Sequence, residues 1–209
     1  MDYTKKKMTE VADNPRGLWG KKMLARMHDR HGKLIKWGLS DTDLSKYHDI
    51  LDIGCGSGNA LSYMYKQNKK AHYFGIDYSK DAVKTAKKNN RAAVQKGHMK
   101  IIHGDVCDMP YRPSSFDLII SVESFYYWKN FDKAMAGIAK VMKKGARLVI
   151  ILETHADIKD PSKNDEVTGI LTDMMIPSKD DFKSLFEAAG LSLEIETSDD
   201  WIRATGTRK

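Results

Sequence analysis

From residue 48 onward, short apolar runs alternate with segments of helical periodicity, and that order leaves the chain very few folds. HDILDIG (48–54), AHYFGID (71–77), KIIHGD (100–105), FDLIISVE (116–123) and ARLVIILE (146–153) read as buried strands. Between them the pattern predicts a helix from about Gly58 to Lys69 and a second from Ser79, carrying Val83, Ala86 and Val94 and stopping at Gly97. A third carries Phe131, Met135, Ile138 and Met142 before Gly145. Ser178 caps a last helix bearing Phe182, Leu185, Phe186 and Ala189, with Gly190 past its end. LSLEIET (191–197) and WIRATGT (201–207), separated by Ser-Asp-Asp, close the chain as an antiparallel pair. Strands that alternate with helices form a parallel sheet covered on both faces, and the terminal pair adds an antiparallel edge. The expected fold is therefore α/β: a doubly wound, mostly parallel seven-stranded sheet with an antiparallel last strand.

Two pieces stand outside the alternation. Residues 1–47 read as a helical extension in which Leu18, Trp19, Met23, Leu24 and Met27 form an apolar stripe, leaving 48–209 as the main domain. Residues 154–177 join the fifth strand to the last helix. Ligands of open α/β sheets bind outside the carboxyl ends of the strands, and this connection emerges there, so it is placed to cover one.

The totals narrow the class. A chain of 209 residues that is 41% apolar can bury the core of one domain. No apolar run approaches the ~20 residues of a membrane span. Two cysteines, Cys55 and Cys107, give neither a disulfide framework nor a four-ligand zinc set. The start, MDYTKKKMTE, lacks the apolar stretch of a secretory signal, and cytoplasm is the expected compartment. The net charge of +7 arises from scattered lysine pairs such as Lys87-Lys88, which suit solvated helix faces. A nucleic-acid partner is kept as the second reading of that charge.

The most informative stretch is LDIGCGSGNA (51–60), three glycines in five positions between a strand and a helix. Glycines there let the backbone turn sharply and touch a ligand, and the helix N-terminus adds unpaired N–H groups with partial positive charge. A dinucleotide loop, G-x-G-x-x-G, would place its third glycine at position 59, but that residue is Asn and the glycine is at 58. An acid, Asp52, stands two residues before Gly54. This D-x-G-x-G-x-G pattern resembles the first motif of class I S-adenosylmethionine-dependent methyltransferases of the small bacterial type. The resemblance implies a Rossmann-like methyltransferase fold whose loop, Gly54, Cys55, Gly56 and Gly58, holds the methionine portion of the cofactor by its backbone.

Later landmarks agree. Asp77, at the end of the second strand and 19 residues past Gly58, offers two carboxylate oxygens to a vicinal ribose diol, and Tyr78 can lie against adenine. In the family, an acid at the position of Asp105 accepts from the adenine amine, and the next backbone N–H, here that of Val106, donates to a ring nitrogen. The fourth strand places Ser121 beneath the methionine end. Cys55 and Cys107 read as small packing side chains, neither having a base beside it.

The chemistry of S-adenosylmethionine needs no metal, because a sulfonium already activates the methyl group. Only a protonated amine or a phenol requires a base. Glu123, two residues after Ser121, leaves the strand on the same side and is the candidate. The run Glu123-Ser124-Phe125-Tyr126-Tyr127-Trp128 resembles an acid-plus-aromatic stretch found in a subset of small bacterial methyltransferases. Those also carry segments like Asn14-Pro15-Arg16-Gly17 and Met27…His31…Trp37-Gly38-Leu39. The resemblance implies an N-terminal helical lid with His31 or His28 facing substrate.

No Asn/Asp-Pro-Pro-aromatic motif follows the fourth strand, which disfavours methylation of nucleic-acid amines. A small-molecule acceptor is the first expectation, with S-adenosylhomocysteine as the other product; RNA or protein is the second. A monomer or homodimer is expected, away from membranes. A nicotinamide oxidoreductase would use a Tyr-x-x-x-Lys pair, but Tyr65-Lys69 falls in the first helix, away from any pocket. A non-catalytic cofactor binder would retain the same glycines and acids.

Overall fold

A computed structural model describes residues 31–158 and 175–209. Within it a seven-stranded sheet runs in the order β3-β2-β1-β4-β5-β7-β6. The strands are β1 (Asp49–Ile53), β2 (His72–Asp77), β3 (Met99–His103), β4 (Phe116–Val122), β5 (Met142–Leu152), β6 (Glu194–Ser198) and β7 (Trp201–Thr207). The first five pair parallel, while β7 lies antiparallel between β5 and β6. The expected doubly wound architecture with its antiparallel closing pair is what the chain forms.

The central strands are buried on both sides, which is why they read as continuous apolar runs rather than alternating ones. Along β5, Leu148, Ile150 and Leu152 enter one core cluster while Val149 and Ile151 enter the other. One face is covered by α4 (Phe131–Val141) and α5 (Lys179–Ala188), which contribute Met135, Ile138, Phe182 and Phe186. The other face is covered by α1 (Asn59–Gln67), α2 (Lys80–Asn89) and α3 (Arg91–Gln95), with Leu61, Met64, Val83 and Ala86 turned inward. Residues 31–38 are helical, and Leu34, Ile35 and Leu39 join that second cluster. The carboxyl-terminal part of the N-terminal extension is thus part of the core. The stripe from Leu18 to Met27, His28, and most of the 154–177 connection lie outside the described residues.

Three expected boundaries move. Met142 belongs to β5 rather than to the helix before it: α4 ends at Val141, and Met142 pairs with Phe116 ahead of a register shift in the ladder. The helix expected to run from Ser79 to Gly97 breaks at Asn90, whose side-chain amide donates to carbonyl oxygens rather than facing solvent. The third strand ends at His103, so Gly104 and Asp105 lie beyond it in the loop.

Candidate active site

Strands β1, β2 and β4 end level with one another, Ile53 opposite Ile76 on one side and Ser121 on the other. A cavity opens just beyond those ends. It is lined by Asp52, Gly54, Cys55, Gly56, Asp77, Tyr78, Asp105, Val106 and Glu123, with His31 from the N-terminal segment. Ten of the sequence candidates therefore meet at one place. Gly58 and Ser121 do not line it.

The three loop glycines have different tasks. Gly54 (φ +66°) passes so close to the β4 loop that a Cβ would stand 2.2 Å from the Cβ of Ser124. Gly58 (φ +81°) is the N-cap of α1, and a Cβ there would meet the Asn90 amide nitrogen at 2.5 Å. Only Gly56 has open space where a side chain would be. Gly56 is therefore the glycine with open space beside the cavity, while the other two let protein meet protein.

Asparagines from α2 hold the loop from behind. Asn89 donates to the Ser57 carbonyl at 3.0 Å, and Asn90 donates to the Gly58 carbonyl at 3.1 Å and to that of Ala86 at 3.0 Å. Sequence reasoning missed both; the only available signal was two amides ending a helical pattern. Asn90→Ala removes two hydrogen bonds while each carbonyl keeps a backbone donor, Ser62 N–H for Gly58 and the residue-90 N–H for Ala86, and is expected to cost about 1–3 kcal/mol, measurable by urea unfolding.

The Asp77 carboxylate is bonded into the loop itself. Its Oδ2 accepts from the Gly56 N–H at 2.8 Å and its Oδ1 from the Ser79 N–H at 2.8 Å. Each oxygen keeps a second lone-pair direction, so closing the turn and receiving a diol are compatible. Burial raises the Asp77 pKa, against the pull of the Ser79 and Gly56 N–H groups and of His103. Asp105 likewise caps its own turn, accepting from the Cys107 N–H at 2.8 Å while facing the cavity. Tyr78 is exposed, and the Lys129 ammonium sits 5.0 Å from its ring centre. Cys55 is buried with its thiol pushed up by burial and then by Asp77 and Asp52, which suits a packing side chain. Ser121 is wholly buried; its hydroxyl meets that of Ser124 at 2.8 Å, and Ser124 donates to the Ile53 carbonyl.

Asp52 is the least satisfied group. It is 1% exposed, and its Oδ2 has no hydrogen-bond partner among the described residues. Burial, and then the neighbouring Asp77, raise its pKa well above the usual carboxylate range. A buried acid with no ion pair among the described residues, lining a cavity, fits a ligand that brings positive charge.

At the other end Glu123 takes φ +55° directly after β4. Its Oε1 accepts from the Tyr126 hydroxyl at 3.2 Å and from the Glu153 N–H. Its Oε2 lies 4.0 Å from His31 Nε2, and the Glu153 Oε1 lies at the same distance from that nitrogen. Burial, and then Glu123, push the Tyr126 phenol well up, so it stays a donor. Glu153 and Tyr126 were not among the sequence candidates.

A parallel sheet that ends in a glycine loop, flanked by acids at the next two strand ends, defines a nucleoside-binding α/β enzyme. Residues 44–190 match a family model described as a methyltransferase domain. The chain belongs to that family and carries a methyltransferase domain of the class I, S-adenosylmethionine-dependent type. It is 28% identical over 130 residues to the uncharacterized methyltransferase YdaC of Bacillus subtilis, covering 62% of this chain and 70% of that one. A fatty-acid O-methyltransferase of Mycolicibacterium smegmatis is 28% identical over 96 residues, 46% of this chain and 34% of the relative. The chain thus spans about a third of that enzyme's length. Among solved structures, the O-methyltransferase NcsB1 of neocarzinostatin biosynthesis, in complex with S-adenosylhomocysteine and 1,4-dihydroxy-2-naphthoic acid, superposes with a TM-score of 0.76. It is 14% identical, and the match covers 96% of this chain and 60% of that one, a likeness of fold. No helix among the described residues is long and apolar enough to cross a membrane.

Proposed function

We propose that the protein transfers a methyl group from S-adenosylmethionine to a small-molecule acceptor by in-line displacement. The bond between the Asp77 carboxylate and the Gly56 N–H carries this reading, because it joins the glycine loop and the ribose-binding acid into one unit. S-adenosylmethionine supplies the activated methyl group. The Gly54–Gly56 backbone would hold its amino-acid tail, with Asp52 balancing the ammonium. Asp77 would accept from the ribose hydroxyls, Tyr78 would lie against the base, and Asp105 with the Val106 N–H would bind the adenine edge. Ser121 acts from below, as a prop for Ser124. The protein's share of the rate is alignment in a site that excludes water, worth up to ~7–11 kcal/mol in well-oriented systems.

At the acceptor end, Glu123 takes up the acceptor's proton, held in place by Tyr126 and the Glu153 N–H. His31, on the first described turn, lines the cavity, so within the 1–47 extension the proposed lid is the part before Leu34, Ile35 and Leu39, which are packed in the core. The relatives' names support a small acceptor: a fatty acid for one, and a dihydroxynaphthoic acid bound to another.

Calorimetric titration with S-adenosylhomocysteine, NAD and NADP tests the cofactor. Micromolar binding of the first alone is expected, and binding of NADP instead overturns the reading. Glu123→Gln is expected to slow turnover by about 100-fold or more, the lower range for general-base catalysis, while S-adenosylhomocysteine binds as before. Weakened cofactor affinity with unchanged turnover would move Glu123 to the cofactor. Insensitivity to added tRNA or heparin is expected if the basic surface is only solvated lysine.

A further inference from the structure

We infer that His31, Glu123 and Glu153 form a binding site for one divalent transition-metal ion, zinc or manganese, at the acceptor end of the cavity. The three come from separate elements: His31 from the 31–38 helical segment, and the two glutamates from the residues immediately after β4 and β5. One nitrogen and one oxygen from each carboxylate all lie within 4.8 Å of one another. These are enclosed side chains, with 12%, 13% and 17% of their surfaces exposed.

The spacing is compatible with a metal ion. His31 Nε2 is 4.0 Å from both carboxylate oxygens, beyond hydrogen-bonding range. The point equidistant from three such atoms lies no more than about 2.5 Å from each, whereas zinc takes nitrogen and oxygen at about 2.0–2.2 Å, so inward shifts of about 0.3–0.5 Å complete that coordination. A water or ammonium reaches the same three atoms at about 2.8 Å only by standing out of their plane, so the choice of a metal rests on the donor set. One imidazole with two carboxylates suits first-row transition ions better than the all-oxygen shells of magnesium or calcium.

The surroundings are those of a held ligand. Glu123 Oε1 is engaged by the Tyr126 hydroxyl and the Glu153 N–H, which turns Oε2 toward His31. Hydrogen bonds of that kind orient metal-ligating carboxylates. Glu153 N–H steers Glu123 while the Glu153 side chain completes the triangle. His31 and Glu123 also line the cavity, so remaining coordination positions of an ion would face the acceptor. There the ion would bind an acceptor hydroxyl or carboxylate. This role for the ion rests on the proposed methyl transfer, whereas the site itself does not. In the metal-loaded protein Glu123 would serve as a ligand in place of acting as the base: the ion would lower the pKa of the acceptor's bound O–H, so that its proton passes to water before the methyl group is transferred.

After chelator treatment and dialysis, the full chain is titrated calorimetrically with zinc and with manganese, and manganese binding is followed by electron paramagnetic resonance. One ion per chain is expected, with affinity weakened at least tenfold in both His31→Asn and Glu153→Gln. S-adenosylhomocysteine titrations of the same proteins are expected to be unchanged, which shows that the variants are folded. Failure of both metals to bind below millimolar concentration, or equal binding by wild type and both variants, overturns the site. Metal binding without S-adenosylhomocysteine binding leaves the site standing and removes the methyltransferase reading instead.

Discussion

Gly54→Ala is expected to destabilise the protein by about 2–5 kcal/mol, a large share of the stability of an ordinary domain. Two costs combine. The backbone at φ +66° disfavours any residue with a Cβ by about 1–2 kcal/mol. The new methyl group would also lie 2.2 Å from the Ser124 Cβ and 2.4 Å from its Oγ. Ser124 cannot swing aside cheaply, because its hydroxyl is tied to the Ile53 carbonyl at 2.9 Å and to Ser121 at 2.8 Å. Gly56→Ala is the matched control: its φ is also positive, but the space is open. That variant is expected to stay folded and to lose cofactor affinity. Urea unfolding and S-adenosylhomocysteine titration of the two proteins, with Gly54→Ala/Ser124→Gly alongside, separate backbone strain from collision. Wild-type stability in Gly54→Ala would mean that the loop does not rest on Ser124.

The contrast between Gly54, Gly56 and Gly58 also marks how far the sequence could be read. Alternation of apolar runs with helical periodicity sufficed for the sheet, because burial on both faces imposes apolar character on every position of a central strand. The landmark acids were legible because they sit where strands end. Which glycine faces a ligand was not legible, since all three share a motif while their neighbours, Ser124, Asn90 and Ala86, come from distant segments. Asn90 looked like one more residue of an amphipathic helix, yet its amide breaks that helix to anchor the loop. Met142 looked helical because a Met at the next turn fits a period of 3.6 as well as it fits a buried strand.

The acceptor end shows the same limit. Glu123 was found from its spacing after Ser121 and His31 by resemblance, but Glu153 was read only as the last residue of a strand. Its importance comes from the register of β4 on β5, which pairs Val122 with Ile151 and brings the next residues of both strands together. A register is a property of two segments, and no periodicity within either one encodes it. Tyr126 was read only as one member of an acid-plus-aromatic run. Its hydroxyl is instead buried between Glu123 and the Thr154 backbone, and it acts as a donor.

Asp52→Asn is expected to make the ligand-free protein more stable at pH 7 by about 1–3 kcal/mol, the range for relieving an unsatisfied buried polar group. Its carboxyl is enclosed, has an unpartnered Oδ2, and has a pKa raised first by burial and then by Asp77. A carboxyl with a folded pKa above its unfolded one binds more protons in the folded state, so wild-type stability is fully present at low pH. It is lost as pH rises from the unfolded value, about 3.9, toward the folded one. The raised pKa of Asp77 adds to that loss in both proteins. The advantage of Asp52→Asn should therefore be near zero at pH 4 and grow with pH, as followed by thermal unfolding at several pH values. An advantage that does not change with pH would mean that Asp52 carries no electrostatic penalty. Under the proposed role of Asp52, the same substitution should weaken S-adenosylhomocysteine binding, because a neutral amide cannot balance the ligand's ammonium. In wild type, a bound ammonium beside Asp52 offsets the burial that raises its pKa and so favours its ionised form. S-adenosylhomocysteine should therefore bind wild type more tightly as pH rises from 4 and show a weaker pH dependence with Asp52→Asn; identical pH profiles for the two proteins would place the ammonium elsewhere.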